Sequence, residues 1–219
     1  MSGLFKSSIG RKIAMALSAF FLIIFLLIHL TVNITSLFSE EVFNQLSHFM
    51  GTNPLIQFGL QPVLIIGVVF HFVMGFVLEA KNKASRGVSY VKYNGAANAS
   101  WMSRNMIYSG LVILAFLILH FVDFWLPEMN YKYVEGLPEN PTRYFEELQH
   151  KFMSPIRVGA YVVAFVLLAL HLLHGFQSAF QTVGCNNKYT KCVKSLGKWY
   201  SIIIPLGFII IALYHHFSH

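Results

Sequence analysis

Residues 13–39 read IAMALSAFFLIIFLLIHLTVNITSLFS, without one charged side chain. About 20 apolar residues suffice to cross the hydrocarbon core of a bilayer as a helix, so the stretch is read as a membrane span. It is not a cleavable leader, because it runs about twice the length of an h-region and no small-residue cleavage site follows it. Four further charge-free stretches follow, Val42–Leu78, Asn105–Val122, Val158–Asn187 and Trp199–His219. The second is too long for one crossing and carries Asn53, Pro54 and Gly59. Its first part is therefore assigned to a surface segment with a short helix, and the crossing starts near Gly59. The expected fold is all-α integral membrane: one domain over 1–219 with five transmembrane helices, at 13–37, 59–79, 105–126, 157–183 and 200–217.

Composition agrees. Hydrophobic residues make up 56% of the chain and charged residues 11%, against roughly 25% charged in a soluble domain. The net charge of +7 does not indicate nucleic acid, because the basic residues sit at the ends of the apolar stretches rather than among stacking surfaces. Lys6, Arg11 and Lys12 precede the first span; Lys81, Lys83, Arg86, Lys92 and Arg104 separate the second and third; Lys188, Lys191, Lys194 and Lys198 separate the fourth and fifth. The other two loops hold Lys132, Arg143, Lys151 and Arg157 beside seven glutamates. The positive-inside rule then places the N-terminus in the cytoplasm and the C-terminus outside. Cys185 and Cys192 lack the partner ligands of a zinc site and read as reduced thiols.

The chain also matches itself. Ser18-Ala19 precede His29 by the same interval by which Ser109-Gly110 precede His120. Gly59 and Gly159 stand equally far before His71 and His171, and each of these histidines begins a His-x-x-x-Gly run. Between the spans, Phe43, Leu46, His48 and Pro54 are echoed by Phe145, Leu148, His150 and Pro155. Spans one and two therefore look repeated as spans three and four, which predicts a bundle of two helix pairs with the fifth helix appended.

An ionisable side chain within a span is costly and marks function by default. One histidine alone would read as a hydrogen bond to a neighbouring helix. Four, one per span and related in pairs, read as ligands. At 1.5 Å per residue, His29 and His120 lie about 25 Å above the inner boundary, while His71 and His171 lie about 18 Å below the outer one. Two levels with two imidazoles each suit two haem irons with histidine on both axial faces. His29 and His120 would hold the outer haem, and His71 and His171 the inner one. Small residues offer room for a porphyrin on the non-ligating helices: Ser18-Ala19 and Ser109-Gly110 at the inner level, Gly59, Gly67, Gly159 and Ala160 at the outer. His174, one turn beyond His171, competes with it, but His171 alone keeps the spacing to its glycines that His71 keeps. Di-iron centres need more carboxylates than Glu79 and Asp123, and copper or zinc needs three or four ligands at one level. His215, His216 and His219 are expected to meet water at the outer surface.

With His29-Leu30-Thr31-Val32-Asn33, His71 with Gly75, Gly110 before His120, and His171-Leu-Leu-His-Gly175-Phe-Gln-Ser178 running to Gly184, the chain resembles a known family. This is the single-polypeptide, two-haem cytochrome b membrane anchor of succinate dehydrogenase and fumarate reductase (succinate:quinone oxidoreductase). The resemblance covers essentially the whole chain and implies the same four haem-iron ligands. It further implies a bacterial cytoplasmic membrane location and two cytoplasmic partners, a flavoprotein with FAD and an iron–sulfur protein. The expected function is passage of electrons between the iron–sulfur subunit and a membrane quinone, menaquinone being the usual one, through two b haems. Some relatives carry a membrane-embedded glutamate two residues before the fourth-span ligand; this chain has Ala169. The quinone site is sought at Asn33, Asn44, His48 and Asn53, or on the inner side near Arg11, Ser103 and Arg104. The loop Lys81–Arg104 and the end of the fourth span are candidate docking surfaces. The alternatives are the diheme cytochrome b of a formate dehydrogenase or hydrogenase, and a non-enzymatic membrane protein whose histidines bridge helices.

Overall fold

A computed structural model describes residues 7–84, 105–185 and 187–218. Among them there is no strand. Seven helices carry the fold: α1 (Ser8–Ile34), α2 (Glu40–Thr52), α3 (Gln61–Ala84), α4 (Met106–His120), α5 (Arg143–Phe152), α6 (Pro155–Thr182) and α7 (Thr190–Phe217). Five helical segments are long and apolar enough to cross a membrane: Ser8–Leu37, Leu55–Ala84, Met106–Val134, Pro155–Thr182 and Thr190–Phe217. The protein is a multi-pass, all-helical membrane protein.

Local chemistry sets most helix ends. Ser7 accepts the Gly10 N–H at 2.8 Å and starts α1, satisfying one of the donors a helix leaves open at its N-terminus. Ser39 starts α2 in the same way, with Glu40 and Glu41 in the first turn where the helix dipole favours negative charge. Ser154 caps α6, with Pro155 at its first position, whose missing N–H costs nothing there.

All five spans run past their charge-free cores, the third and the fifth by the most. The third continues past His120 through a π-turn at Phe121–Trp125, a short α-helical piece at Leu126–Met129 and a second π-turn at Asn130–Val134. Asp123, Glu128 and Lys132 do not stop it because each has an ionic partner: Asp123 pairs with Arg157, and Glu128 with Lys132 and Arg143. The last helix begins at Thr190 rather than near residue 200, with Lys191, Lys194 and Lys198 exposed in its first turns.

Helix α1 packs on α3 and α6, and α4 packs on α6 and, along a narrower seam, on α3. These four close into a ring in the order α1, α3, α4, α6. On this ring α1 lies diagonal to α4, and α3 diagonal to α6. Helix α7 lies outside it against α6 and α1. Close approach there depends on two glycines. A Cβ at Gly197 would stand 2.5 Å from the Phe176 ring, and one at Gly207 would stand 2.8 Å from Leu30. The Tyr200 hydroxyl adds a bond to the Ile23 carbonyl of α1.

The short helices α2 and α5 cap one end of the ring. They meet through Phe43 and Phe145, ring centres 6.2 Å apart, and buried Asn44 accepts the Phe145 N–H at 2.9 Å. Arg143 lies between the rings of Tyr131 and Tyr144, 4.1 and 4.6 Å from their centres, and its guanidinium bonds Glu128 and Glu147. Burial pushes the Tyr144 phenol up from its ordinary range. This cap corrects the expectation that His215 meets water. His215 is 0% exposed, bonds Ser36 at 2.9 Å and stands edge-on to Phe145. Helix α7 reaches under the cap, so its His215 side is covered while Phe217 stays exposed. His216 donates to the Phe152 carbonyl at 2.8 Å, and His219 lies outside the described residues.

Candidate functional site

The four span histidines meet in two pairs, each across a diagonal of the ring. His29 of α1 faces His120 of α4 with ring centres 5.9 Å apart. His71 of α3 faces His171 of α6 at 6.4 Å. With metal–imidazole bonds of about 2 Å, two axial imidazoles on one iron have ring centres roughly 6 Å apart. Both separations fit. Among the described residues no group of three or more His, Cys, Asp or Glu could hold a metal ion.

The pairs lie at different depths. The His71 ring contacts α1 at Ser18, eleven residues before His29, a rise of about 16 Å along the helix. The His71/His171 pair is polar in its support: Ser18 Oγ is 3.0 Å from His71 Nδ1, and Ser109 Oγ is 3.1 Å from His171 Nδ1. Their glycines touch methionines, Gly75 near Met15 and Gly175 near Met106. The His29/His120 pair is aromatic in its surroundings. Phe25 and Phe208 flank His29 at 5.3 and 5.5 Å. Phe116, Phe124 and Tyr161 surround His120 at 5.8, 5.3 and 6.3 Å.

Space around the pairs is uneven. A Cβ at Gly159 would meet nothing within 4 Å, and at Gly110 it would be 3.9 Å from the His171 ring. Gly159 is exposed, so its open space lies at the surface, whereas Gly110 leaves room beside His171. Gly67 does not serve that purpose here, since its Cβ would stand 2.9 Å from Phe21; it lets α3 approach α1. His171, not His174, is the α6 histidine whose ring meets His71.

The residues considered for a quinone make separate contacts. Asn33 donates to the His29 carbonyl at 2.8 Å, Asn44 joins α2 to α5, and Asn53 caps the turn at Leu55 and Ile56. His48 is half-buried, 3.6 Å from Glu139. Arg11 lies in the first turn of α1, while Ser103, Arg104 and most of the Lys81–Arg104 loop fall outside the described residues.

Sequence reasoning passed over a buried cluster beside His120. Asp123, 1% exposed, accepts the Tyr161 hydroxyl at 2.9 Å and pairs with Arg157 at 3.1 Å. It lines a cleft of about 360 Å³ at the end capped by α2 and α5, whose walls include Glu146, Glu147, His150 and Lys151. The signal was present in Asp123 and Arg157, one acidic and one basic residue at facing span ends. A second cleft of about 330 Å³ lies at the other end, between Lys12 of α1 and Ser178 and Gln181 of α6.

Fold and site together define a five-span membrane protein with two diagonally bridged histidine pairs. No protein-family model, no curated protein and no solved structure matches the chain.

Proposed function

We propose that this protein is the membrane-anchor cytochrome b subunit of a succinate:quinone oxidoreductase, with two b haems between its helices. The observation that carries the reading is the pairing of the four span histidines. One from each ring helix is used, they meet across both diagonals, and the ring separations of 5.9 and 6.4 Å are those of two imidazoles sharing a metal. His215 and His216 differ in facing no second histidine: they bond the Ser36 hydroxyl and the Phe152 carbonyl.

When bound, a bis-histidine haem supplies reversible one-electron transfer. The residues supply the rest. His29 and His120 would hold the outer group, and His71 and His171 the inner. Phenylalanines exclude water from the outer pair, and Gly110 leaves room beside His171. The matching contacts Ser18–His71 and Ser109–His171, with Met15–Gly75 and Met106–Gly175 beside them, support a bundle built from two repeated helix pairs.

In this reading the exposed Lys12, Lys81, Lys83, Lys188, Lys191, Lys194 and Lys198 lie on the cytoplasmic side of a bacterial inner membrane. There they form a surface for the iron–sulfur and FAD-bearing subunits. Quinone, menaquinone in most anchors of this kind, reacts on the outer side, where His48 and the cleft at Asp123 and His150 provide polar groups. The test is a reduced-minus-oxidised visible spectrum of the purified chain, with haem per polypeptide and bound flavin in the co-purified complex. Sharp b-type bands, two haems per chain and FAD are expected. A preparation without haem bands refutes the reading, and a partner with molybdenum or nickel instead of flavin reassigns the complex.

A further inference from the structure

Ser18 and Ser109 each make two contacts that together locate a proton. Ser18 Oγ donates to the Met15 carbonyl at 2.8 Å and lies 3.0 Å from His71 Nδ1. Ser109 Oγ donates to the Met106 carbonyl at 2.9 Å and lies 3.1 Å from His171 Nδ1. A hydroxyl carries one proton and two acceptor lone pairs. With the proton committed to the helix carbonyl, a bonding habit of serine within helices, the second contact needs Nδ1–H as donor and the serine oxygen as acceptor. A neutral imidazole has one N–H, so Nε2 of His71 and of His171 keeps its lone pair. The opposite tautomer would cost both serine–carbonyl bonds and would protonate the nitrogen that a metal needs free.

The outer pair lacks this arrangement. His29 Nδ1 lies 3.4 Å from Asn33 Nδ2, and that amide nitrogen donates to the His29 carbonyl. An amide N–H₂ offers an imidazole N–H no acceptor. His120 Nδ1 is buried with no hydrogen-bond partner among the described residues.

We propose that Ser18 and Ser109 are positioning residues that hold His71 and His171 as Nδ1–H tautomers, so that both offer Nε2 to the inner haem iron and bind it as more basic ligands than the outer pair. The inference rests on the haem-binding reading above. A ligand histidine that donates its other N–H to an acceptor is fixed in orientation and made more basic, which favours the oxidised iron and lowers the reduction potential.

The test is potentiometric titration of the haem-loaded full chain, followed by its visible bands. Ser18→Ala and Ser109→Ala lie on different helices, yet both should raise the midpoint of the same haem and leave the other unmoved. The expected change is roughly two- to tenfold in the reduced-to-oxidised ratio at fixed potential, tenfold being about 59 mV for one electron. Ser18→Thr and Ser109→Thr, which keep the hydroxyl, should restore the parent value. Unchanged midpoints, or the two alanine variants moving different haems, overturn the proposal. If an alanine variant loses one haem altogether, recovery in the threonine variant supports it and failure to recover overturns it. A parent chain without haem would sink the functional reading instead. In that case ¹⁵N-histidine spectra of the full chain decide the tautomers directly: Nδ1–H at His71 and His171 supports the proposal, and Nε2–H overturns it.

Discussion

Replacing Asp123 by alanine should destabilise the end of the protein capped by α2 and α5 and, on the proposed function, loosen the haem at His29 and His120 while sparing the one at His71 and His171. Asp123 is buried, and its two partners differ in what they lose. Tyr161, 2% exposed, would keep a hydroxyl with no acceptor, which costs about 1–3 kcal/mol. The Arg157 side chain is 32% exposed and can turn to water, so its share is about 0–1 kcal/mol, the size of a surface ion pair. The sum is about 1–4 kcal/mol. Tyr161→Phe removes the donor and leaves Asp123 its arginine, for about 1–2 kcal/mol. Because the two side chains touch, the double variant should fall short of additivity by about 1–2 kcal/mol. The assay is reversible unfolding in mixed detergent, followed by helical circular dichroism, with haem bands recorded on the same samples. Tyr161 packs edge-on against Phe116, ring centres 4.9 Å apart, and Phe116 flanks His120, so the outer haem should be lost first as denaturant rises. A coupling below about 0.5 kcal/mol, the limit of additivity for independent sites, would refute the reasoning. So would earlier loss of the inner haem.

His29→Ala or His120→Ala should halve the haem content by removing one spectral component, and His71→Ala or His171→Ala should remove the other; the double variant His29→Ala/His120→Ala should match either single one. His174→Ala should retain both haems, as read from the pyridine haemochrome, because His171 is the ring that meets His71. Gly207→Val, on α7 against Leu30, should cost about 1–3 kcal/mol by overpacking. Gly159→Ala, which meets open space, should stay within about 0.5 kcal/mol in the same unfolding assay.

What the sequence determined by itself is what depends on one helix at a time. A charge-free run of spanning length crosses the membrane because backbone polar groups must bond internally there, and such runs are legible without knowing their neighbours. The spacing of His29, His71, His120 and His171 along their helices was legible for the same reason, since a fixed rise per residue turns position into depth. Charges blurred the limits of the third and fifth spans: whether Asp123 or Lys132 ends a span depends on whether a partner waits on another helix. Only the tertiary structure decided that histidines at equal depth face each other across the ring, and that Gly67 serves Phe21 rather than a cofactor. It also covered His215 beneath the α2–α5 cap and brought Ser18 and Ser109 to the Nδ1 atoms of His71 and His171. Each of these depends on the rotation of one helix about its axis relative to another. That rotation is set by packing among all the helices at once, through close approaches such as Gly197 to Phe176 and Gly207 to Leu30, and the spacing within one helix does not encode it.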